Sequence, residues 1–525
     1  MLLFITMPNR STDALFQLVK SLEKSEKRNF KLYVGRNSGG EDLKVVQLFD
    51  AIDKMDVYDE ELLLKKTPSI KKQQLSNSKA HLYRQVLASL RLLKHEDNID
   101  IQLHEQMDYA RILYNKGLYL QSLKILDKMK DTARDNHQFT YLQQVVFLEK
   151  KIEALHITRS MQDRAERLTA EADEVTDRLM QISKLSNLSL LLYSWYIKNG
   201  HARNKNDEAA VQKFFDDHYP THAKSPHGFY EKLYLYQSYS WYGFIRQDFL
   251  MYYRYTQKWV DLFSGYPFMI EIETSHYIKG LHNLLGAHFD LQNYDKFNEV
   301  LRQFEKFSHS DIVTENENNQ IQCFVYFSTA LINKHFIEGS FTEGVKIVPG
   351  IAEKLREYEI YLDRHRVLVF YYKIACLYFG SGNNEKAIDY LNKIINWKVD
   401  LRTDLQCYAR LLHLIAHYEL GNYDLLEYLT KSVYRFMAKM ENLSGVEEEM
   451  FKFLRNSFRL SPAQLQPAFQ KLLDVVKKYE RNRFETRAFA YLDIISWLES
   501  KIKKVAVQDI IRERYLARQQ AKKHA

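Results

Sequence analysis

Short polar turns recur along this chain at nearly constant intervals, and this spacing constrains the fold more than any other feature. Each turn separates two apolar helical stretches, and successive turns lie 39 to 47 residues apart. A period of this length with two helices per unit is typical of an α-solenoid, in which each helix pair buries its apolar face against the next. The sequence therefore predicts an all-α, right-handed α-solenoid of about eight helix pairs. The predicted turns contain Gly117, Arg159, Gly200, Gln247, Gln292, Gly339, Gly382 and Gly421.

The composition agrees with such a fold. Only 17 Gly and 8 Pro occur among 525 residues, which argues against long β-rich or disordered regions, and hydrophobic residues make up 46%. Residues 1–100 do not follow the period, so we expect a helical N-terminal domain there. Residues 101–440 form the predicted repeat region. Residues 441–525 are predicted to be capping helices with a basic tail, because the exposed terminal face of a solenoid needs covering.

The best-formed units share a fixed order of small, glycine and aromatic residues. In the first unit these residues are Ala110, Gly117, Tyr119 and Ser122. The segments 374–387 and 413–423 repeat the order, which resembles that of the tetratricopeptide repeat (TPR) over about residues 101–440. The resemblance implies a concave surface that binds peptides. The spacing here is longer than the family's 34 residues, so the family's peptide-contacting positions are not transferred. The segments 24–32 and 496–500 are similar to the ends of an uncharacterised bacterial group, which implies a bacterial source.

The segment 229–263 is the densest aromatic stretch, with fourteen aromatic residues in 35. Tyrosine is amphipathic, so several of these rings can line a concave wall and direct their hydroxyls towards a ligand. The alternative interpretation is a thick core in which the tyrosine hydroxyls bond locally. On the first interpretation, Arg246 and Arg254 contact carboxylates of the ligand. The predicted binding residues are Tyr234, Tyr239, Trp241, Tyr242, Arg246, Tyr252 and Arg254.

The sequence contains no P-loop, no GxGxxG after a strand, no GxSxG and no CxxC pair. We therefore predict a non-catalytic protein- or peptide-binding scaffold without a metal or a cofactor. His413 and His417 have the spacing of two metal ligands on one helix face, but Leu414 stands where the hydrolase motif requires Glu. We interpret both histidines as packing residues, and residues 364–366 as a solvated helix face.

A second functional hypothesis rests on charge. The net charge is +8, and the segment from Lys501 onwards carries eight Lys or Arg against two acids. This basic tail favours contact with RNA, DNA or the ribosome. Segments 58–66 and 74–84 would be the two helices of a DNA-reading module in a peptide-responsive regulator, with Lys71, Lys72, Lys79 and Arg84 facing phosphates. The connection 67–73 exceeds the usual turn of that motif, so the simple helical domain is favoured.

Cysteine usage and hydropathy indicate the compartment. Cys323, Cys376 and Cys407 are few and far apart, which is typical of buried thiols in a reducing environment. No stretch of 18 apolar residues occurs, so we predict no membrane contact. These features predict a cytoplasmic protein.

Overall fold

The computed structural model describes residues 13–36, 42–93, 98–156, 163–220, 227–397, 403–440, 445–457, 460–480, 482, 484 and 493–523. The model is 84% helical, and no strand occurs within these ranges, so the all-α prediction is confirmed. The chain divides into two compact units, Met1–Thr176 and Asp177–Ala525, and each is described by itself.

The first unit begins with five helices around a compact core. Phe30 and Phe49 are almost fully buried at its centre, with ring centroids 4.7 Å apart. The second helix packs on the fifth, and the third contacts both the first and the fifth. These helices are α1 (Ala14–Ser21), α2 (Lys24–Arg36), α3 (Asp42–Asp53), α4 (Glu60–Lys66) and α5 (Lys72–Leu93).

Three further helices pack in sequence order: α6 (Ile99–Asn115), α7 (Tyr119–Asp135) and α8 (Phe139–His156). The small residues of the predicted pattern explain how α6 and α7 approach each other. Ala110 and Ser122 are fully buried, and the Ser122 hydroxyl donates to the Ala110 carbonyl oxygen at 2.8 Å. A larger side chain at either position would hold the two backbones apart. The long helix α9 (Arg164–Asn199) starts in the first unit and ends in the second.

The second unit consists of helical hairpins that each contact the next in the chain. Helix α12 packs on α11 and α14, α14 on α15 and α17, α17 on α20, and α20 on α21 and α22. The helices are α10 (Lys205–His218), α11 (Phe229–Ile245), α12 (Phe249–Gly265), α13 (Met269–Ile272), α14 (Thr274–Asp290), α15 (Tyr294–Ser308), α16 (Asp311–Thr314), α17 (Glu317–Glu338), α18 (Phe341–Val345), α19 (Val348–Glu357), α20 (Arg364–Gly380), α21 (Asn384–Ile395), α22 (Thr403–Glu419), α23 (Tyr423–Lys439), α24 (Gly445–Ser457), α25 (Pro462–Tyr479), α26 (Ile494–Lys503) and α27 (Val507–Lys523).

Seven of the eight predicted turns are confirmed as helix breaks with a left-handed backbone. Their φ values run from 54° at Gln292 to 85° at Gly382. A positive φ lets the chain leave one helix and reverse into the next, which glycine permits at the lowest cost. The eighth predicted turn, at Arg159, lies outside the described residues. His137, with φ 55°, forms an additional turn between α7 and α8 that the spacing did not indicate.

The C-terminal helices differ from the predicted cap in one respect. Helices α24 to α26 pack in series beyond α23, and the Trp497 ring is fully buried there beside Tyr418 and Phe469. Helix α27 packs on α26, and the left-handed residue Lys504 turns the chain so that α27 also contacts α17. The terminal helix therefore joins hairpins that are far apart in sequence. No helix in the described ranges is both long and apolar enough to cross a membrane.

Candidate functional site

Three of the predicted binding residues take part in packing α10, α11 and α12 together. The Tyr239 ring stacks on Tyr255 at 4.4 Å, and burial raises the pKa of the Tyr239 hydroxyl. The Tyr242 ring stacks on Phe215 of α10 at 4.3 Å. Arg246 lies over the Tyr242 ring and forms an ion pair of 2.6 Å with Glu208 of α10. These contacts match the local packing that we gave as the alternative interpretation.

The other four predicted residues lie in different surroundings. Tyr252 is buried, and both burial and the charge of Asp290 raise the pKa of its hydroxyl well above the usual value. Arg254 is exposed on α12, and Trp241 is half-buried against α9. Tyr234 is half-buried on α11 and faces His276 of α14, with ring centroids 6.0 Å apart. The predicted set is thus divided among helix packing, the interior and the side of α11 nearest α14.

A line of polar contacts continues from α11 onto α14. The Tyr230 hydroxyl donates to Glu273 at 2.6 Å, and His276 Nδ1 lies 2.7 Å from the same carboxylate. Burial opposes ionisation of Glu273, but the hydrogen bond and the charge of His276, together with the hydrogen bond from Tyr230, outweigh burial and lower the pKa of the carboxyl. The Gln322 amide of α17 donates to the Ser275 hydroxyl at 2.8 Å. One side of α11, α14 and α17 is therefore joined by hydrogen bonds at this end.

Further along the same helices, basic side chains from α14 and α20 converge on an aromatic ring of α17. The His282 ring lies 4.4 Å from the Tyr326 ring, centroid to centroid. Lys279 Nζ lies 4.9 Å above the Tyr326 ring, and the Arg366 guanidinium lies 5.8 Å from it. We call Lys279, His282, Tyr326, Arg366 and Lys373 the Tyr326 cluster.

The pKa of the His282 imidazole reflects the positive charge of its surroundings. Burial lowers the pKa of His282 well below its usual value, and the positive charges of Lys279, Lys373 and Arg366 lower it further. The ring is therefore neutral at physiological pH, and it shares the Tyr326 ring as a neighbour with Lys279 and Arg366. Such a group of like charges suits an anionic ligand, because a carboxylate or phosphate would offset the repulsion.

The cations of the Tyr326 cluster are only partly neutralised by the protein. Within the described chain, Lys279 has no hydrogen bond or ion pair, and its contact is with the Tyr326 ring. Arg366 pairs at 3.2 Å with Asp363, which caps the start of the same helix. Lys373 Nζ donates to Asn333 Oδ1 at 2.6 Å, and burial lowers the pKa of the lysine to about 8. Lys279 and Arg366 are thus the side chains best placed to contact an anion.

A cavity of about 750 Å³ lies near the cluster, between the ends of α14, α17 and α20 and helix α27. Phe336 is part of its wall, and Lys373 Nζ lies 5.5 Å from that ring. Asp290, the last residue of α14, also lines the cavity, and burial raises the pKa of its carboxyl to about 7 against the opposing charge of Lys373. Cys376 is half-buried on this wall, whereas Cys323 and Cys407 are buried as predicted.

The two histidines that have metal-ligand spacing belong to α22, and their side chains lie in the interior of the protein. His413 and His417 are both buried, with ring centroids 4.4 Å apart. Burial lowers the pKa of His413 to about 4, and the neighbouring His417 and Arg410 lower it in the same direction. Among the described residues, no group of three or more His, Cys, Asp or Glu side chains is arranged to hold a metal ion.

Some of the basic residues of the second hypothesis are engaged within the protein, and others are exposed. Lys501 pairs with Glu419, Arg514 pairs with Glu499 at 2.7 Å, and Arg518 donates to Gln292. In the N-terminal unit, Lys79 pairs with Asp13 and donates to the Tyr58 hydroxyl at 2.7 Å. Lys71, Lys72 and Arg84 are exposed. Contact with nucleic acid remains a prediction.

The sequence analysis did not single out the Tyr326 cluster, although the repeat carried a signal. Tyr234, Lys279 and Tyr326 each precede the turn residue of their own hairpin by thirteen positions. Equivalent positions of stacked repeats lie on the same face of successive helices. Comparing the polar and aromatic residues at this one position would have placed Tyr234 beside Lys279 and Tyr326. Arg366 lies in the segment that we assigned to a solvated face. Placing it beside Tyr326 would have required knowledge of how α17 packs against α20.

No family model matches the chain, and no curated protein is significantly similar to it. The resemblance to the tetratricopeptide repeat therefore rests on the residues and on the helix packing described above.

Proposed function

We propose that this protein is a non-catalytic scaffold that binds an acidic protein segment in the groove of a TPR-like, right-handed solenoid. The first helices of successive hairpins, α11, α14, α17 and α20, would form the inner wall of this groove. The order of helix packing supports the arrangement, because each hairpin contacts the next along the chain. Stacked hairpins provide a long preformed surface suited to extended or helical segments.

The observation that carries the proposal is the convergence of Lys279, Arg366 and His282 on the Tyr326 ring. Lys279, Lys373 and Arg366 all act on one imidazole from two different helices, and the aromatic ring of Tyr326 lies among them. Grouping like charges costs stability unless a partner of opposite charge compensates. Basic residues beside an aromatic ring are suited to a segment that presents both carboxylates and apolar side chains.

The size of the surface favours a protein segment over a small anion. Packed helices lie about 8–10 Å apart, so the two steps from α14 to α17 and from α17 to α20 span roughly 16–20 Å, and α11 adds further width beyond α14. An extended chain rises about 3.3 Å per residue, so about five or six residues would cross from α14 to α20, and more would reach α11. Such a segment would pass Tyr234 at one end and reach Lys279 and Arg366 further along.

The proposal is tested with a labelled peptide of alternating glutamate and leucine, whose binding to the full chain is followed by fluorescence anisotropy. We expect Lys279→Gln and Arg366→Gln each to weaken binding about tenfold, which corresponds to about 1.4 kcal/mol for a charge-assisted contact. Lys346→Gln is the matched control, because Lys346 is exposed and pairs with Glu343 of the preceding helix α18. Equal affinity for all three variants and the unmodified chain would show that the acidic segment binds elsewhere or not at all.

A further inference from the structure

The cavity beside helix α27 has a wall to which seven aromatic side chains contribute. Its volume of about 750 Å³ falls in the range of small-molecule sites, which are mostly apolar and contain a few polar groups. It lies between hairpin ends and the C-terminal helix, near the Tyr326 cluster, but Lys279 and Arg366 are not among the residues that line it. Its rings belong to Phe249, Phe289, Tyr294, Phe336, Phe341, Phe379 and Tyr515.

One carboxylate on this wall has no partner. Asp290 makes no hydrogen bond or ion pair with any part of the chain that the structure describes. Lys373 acts on it electrostatically but lies beyond ion-pair distance and is bonded to Asn333. Asp290 is also the last residue of α14, where the helix dipole disfavours a negative charge. A half-buried carboxylate without a partner at this position costs stability, and the described part of the chain offers it no compensating contact.

The other charges on the wall leave the cavity suited to a cation. Arg514 donates to Ser496 and Glu499, and Arg518 donates to Gln292 at 2.9 Å, so each guanidinium group already has a hydrogen-bond acceptor within the protein. Asp493 and Glu480 add two further carboxylates to the lining. Carboxylates therefore outnumber the basic groups, and Asp290 makes no hydrogen bond or ion pair within the described part of the chain.

We propose that this cavity binds a small organic amine, with its ammonium group on the Asp290 carboxylate and its apolar body against the aromatic rings. An ammonium group would supply the missing ion pair and donate hydrogen bonds to the carboxylate. Aromatic faces attract cations as well as apolar groups, so Phe289 and Phe336 would stabilise both parts of such a ligand. This ligand and site differ from the acidic segment and the wall of the proposed function.

The titratable groups around Asp290 are compatible with a carboxyl that becomes ionised when an ammonium ligand binds. Burial raises the pKa of Asp290 to about 7, so an ammonium ligand would favour the ionised carboxylate and bind more tightly as the pH rises through 7. The titratable groups that act on or adjoin Asp290 are Tyr252 of α12, Lys373 and Cys376 of α20, and the two arginines of α27. Burial keeps the pKa of Cys376 near 12, so this thiol stays neutral.

The test compares hexylamine, hexanol and hexanoate by isothermal titration calorimetry on the full chain at pH 8. These probes share one apolar chain and differ in charge. We expect hexylamine to bind at least tenfold more tightly than hexanol, and hexanoate to bind most weakly. Asp290→Asn should remove the preference for the amine while retaining the weak binding of hexanol. Asp389→Asn, at an exposed carboxylate paired with Lys386, should leave the preference unchanged.

Four results would overturn the proposal. These are no binding of hexylamine, equal binding of hexylamine and hexanol, a preference for hexanoate, and an amine preference that survives Asp290→Asn. The last comparison requires a folded variant, which thermal unfolding of Asp290→Asn establishes. The probe series itself uses the unmodified chain, so the proposal can be rejected without any substitution.

Discussion

Gly339 lies directly against the backbone of Arg512. A Cβ on residue 339 would approach the Arg512 amide nitrogen to 2.5 Å and the Gln508 carbonyl oxygen to 2.8 Å. Gly339 also has a φ of 64° at the end of α17. Two separate requirements therefore select glycine here: the left-handed turn, and the close approach of α27 to the hairpin. This contact holds the C-terminal helix on one side of the cavity.

We predict that Gly339→Ala displaces α27, whereas Gly382→Ala does not. Both glycines have positive φ, so each substitution brings about 1–2 kcal/mol of backbone strain. Of these two positions, residue 339 has backbone atoms close to where a new Cβ would lie, whereas the space around Gly382 is open. Hydrogen exchange should therefore rise across residues 507–523 in Gly339→Ala and stay near the original level in Gly382→Ala. Equal exchange in the two variants would contradict the docking of α27 described above.

The Asp290 carboxyl should make stability fall as the pH rises. Its pKa is about 7 in the folded protein and about 3.9 in an unfolded chain, so the folded state binds more protons between these values. Stability from this group is fully present below pH 4 and is lost as the pH rises through 7. Asp290→Asn should therefore be more stable than the unmodified protein at pH 8, by roughly 2–4 kcal/mol, and similar to it near pH 4. Urea unfolding at the two pH values measures this difference, and a variant that is less stable at pH 8 would contradict the burial of an unpaired carboxylate.

His413 should have the opposite dependence on pH. Its pKa is about 4 in the folded protein and about 6.5 when unfolded, so stability from the neutral ring is present above 6.5 and is lost as the pH falls through 4. His413→Leu removes this term. The stability of the unmodified protein, relative to the variant, should fall by up to about 3 kcal/mol between pH 7 and 4. Parallel unfolding curves across this range would show that His413 does not titrate in the interior.

The local parts of the fold could be predicted from the sequence, and the long-range parts could not. Gly117 and Gly382 identify turns because glycine has a backbone preference that acts within a few residues. Ala110 and Ser122 identify a close helix contact for the same local reason. The contact between Gly339 and Arg512 joins positions 173 residues apart, and the amphipathic pattern of α27 does not specify which surface it covers.

The candidate site was predictable only in part, because the direction of a side chain depends on how its helix is rotated in the packing. In the sequence, composition does not distinguish an aromatic residue that packs against a neighbouring hairpin from one that faces a shared wall. Tyr239 and Tyr242 pack against α12 and α10, whereas Tyr234 faces α14. The position relative to the turn distinguishes them, since Tyr234 has the same spacing as Lys279 and Tyr326.

The central claim is that Lys279 and Arg366 form the part of the wall that binds an acidic segment. A charge reversal at both positions, Lys279→Glu with Arg366→Glu, tests it directly by fluorescence anisotropy with two peptides, one of alternating glutamate and leucine and one of alternating lysine and leucine. The account predicts that the reversed variant loses the acidic peptide and binds the basic one, while Lys346→Glu keeps the original preference. A folded reversed variant that binds the acidic peptide as tightly as the unmodified chain would contradict the account.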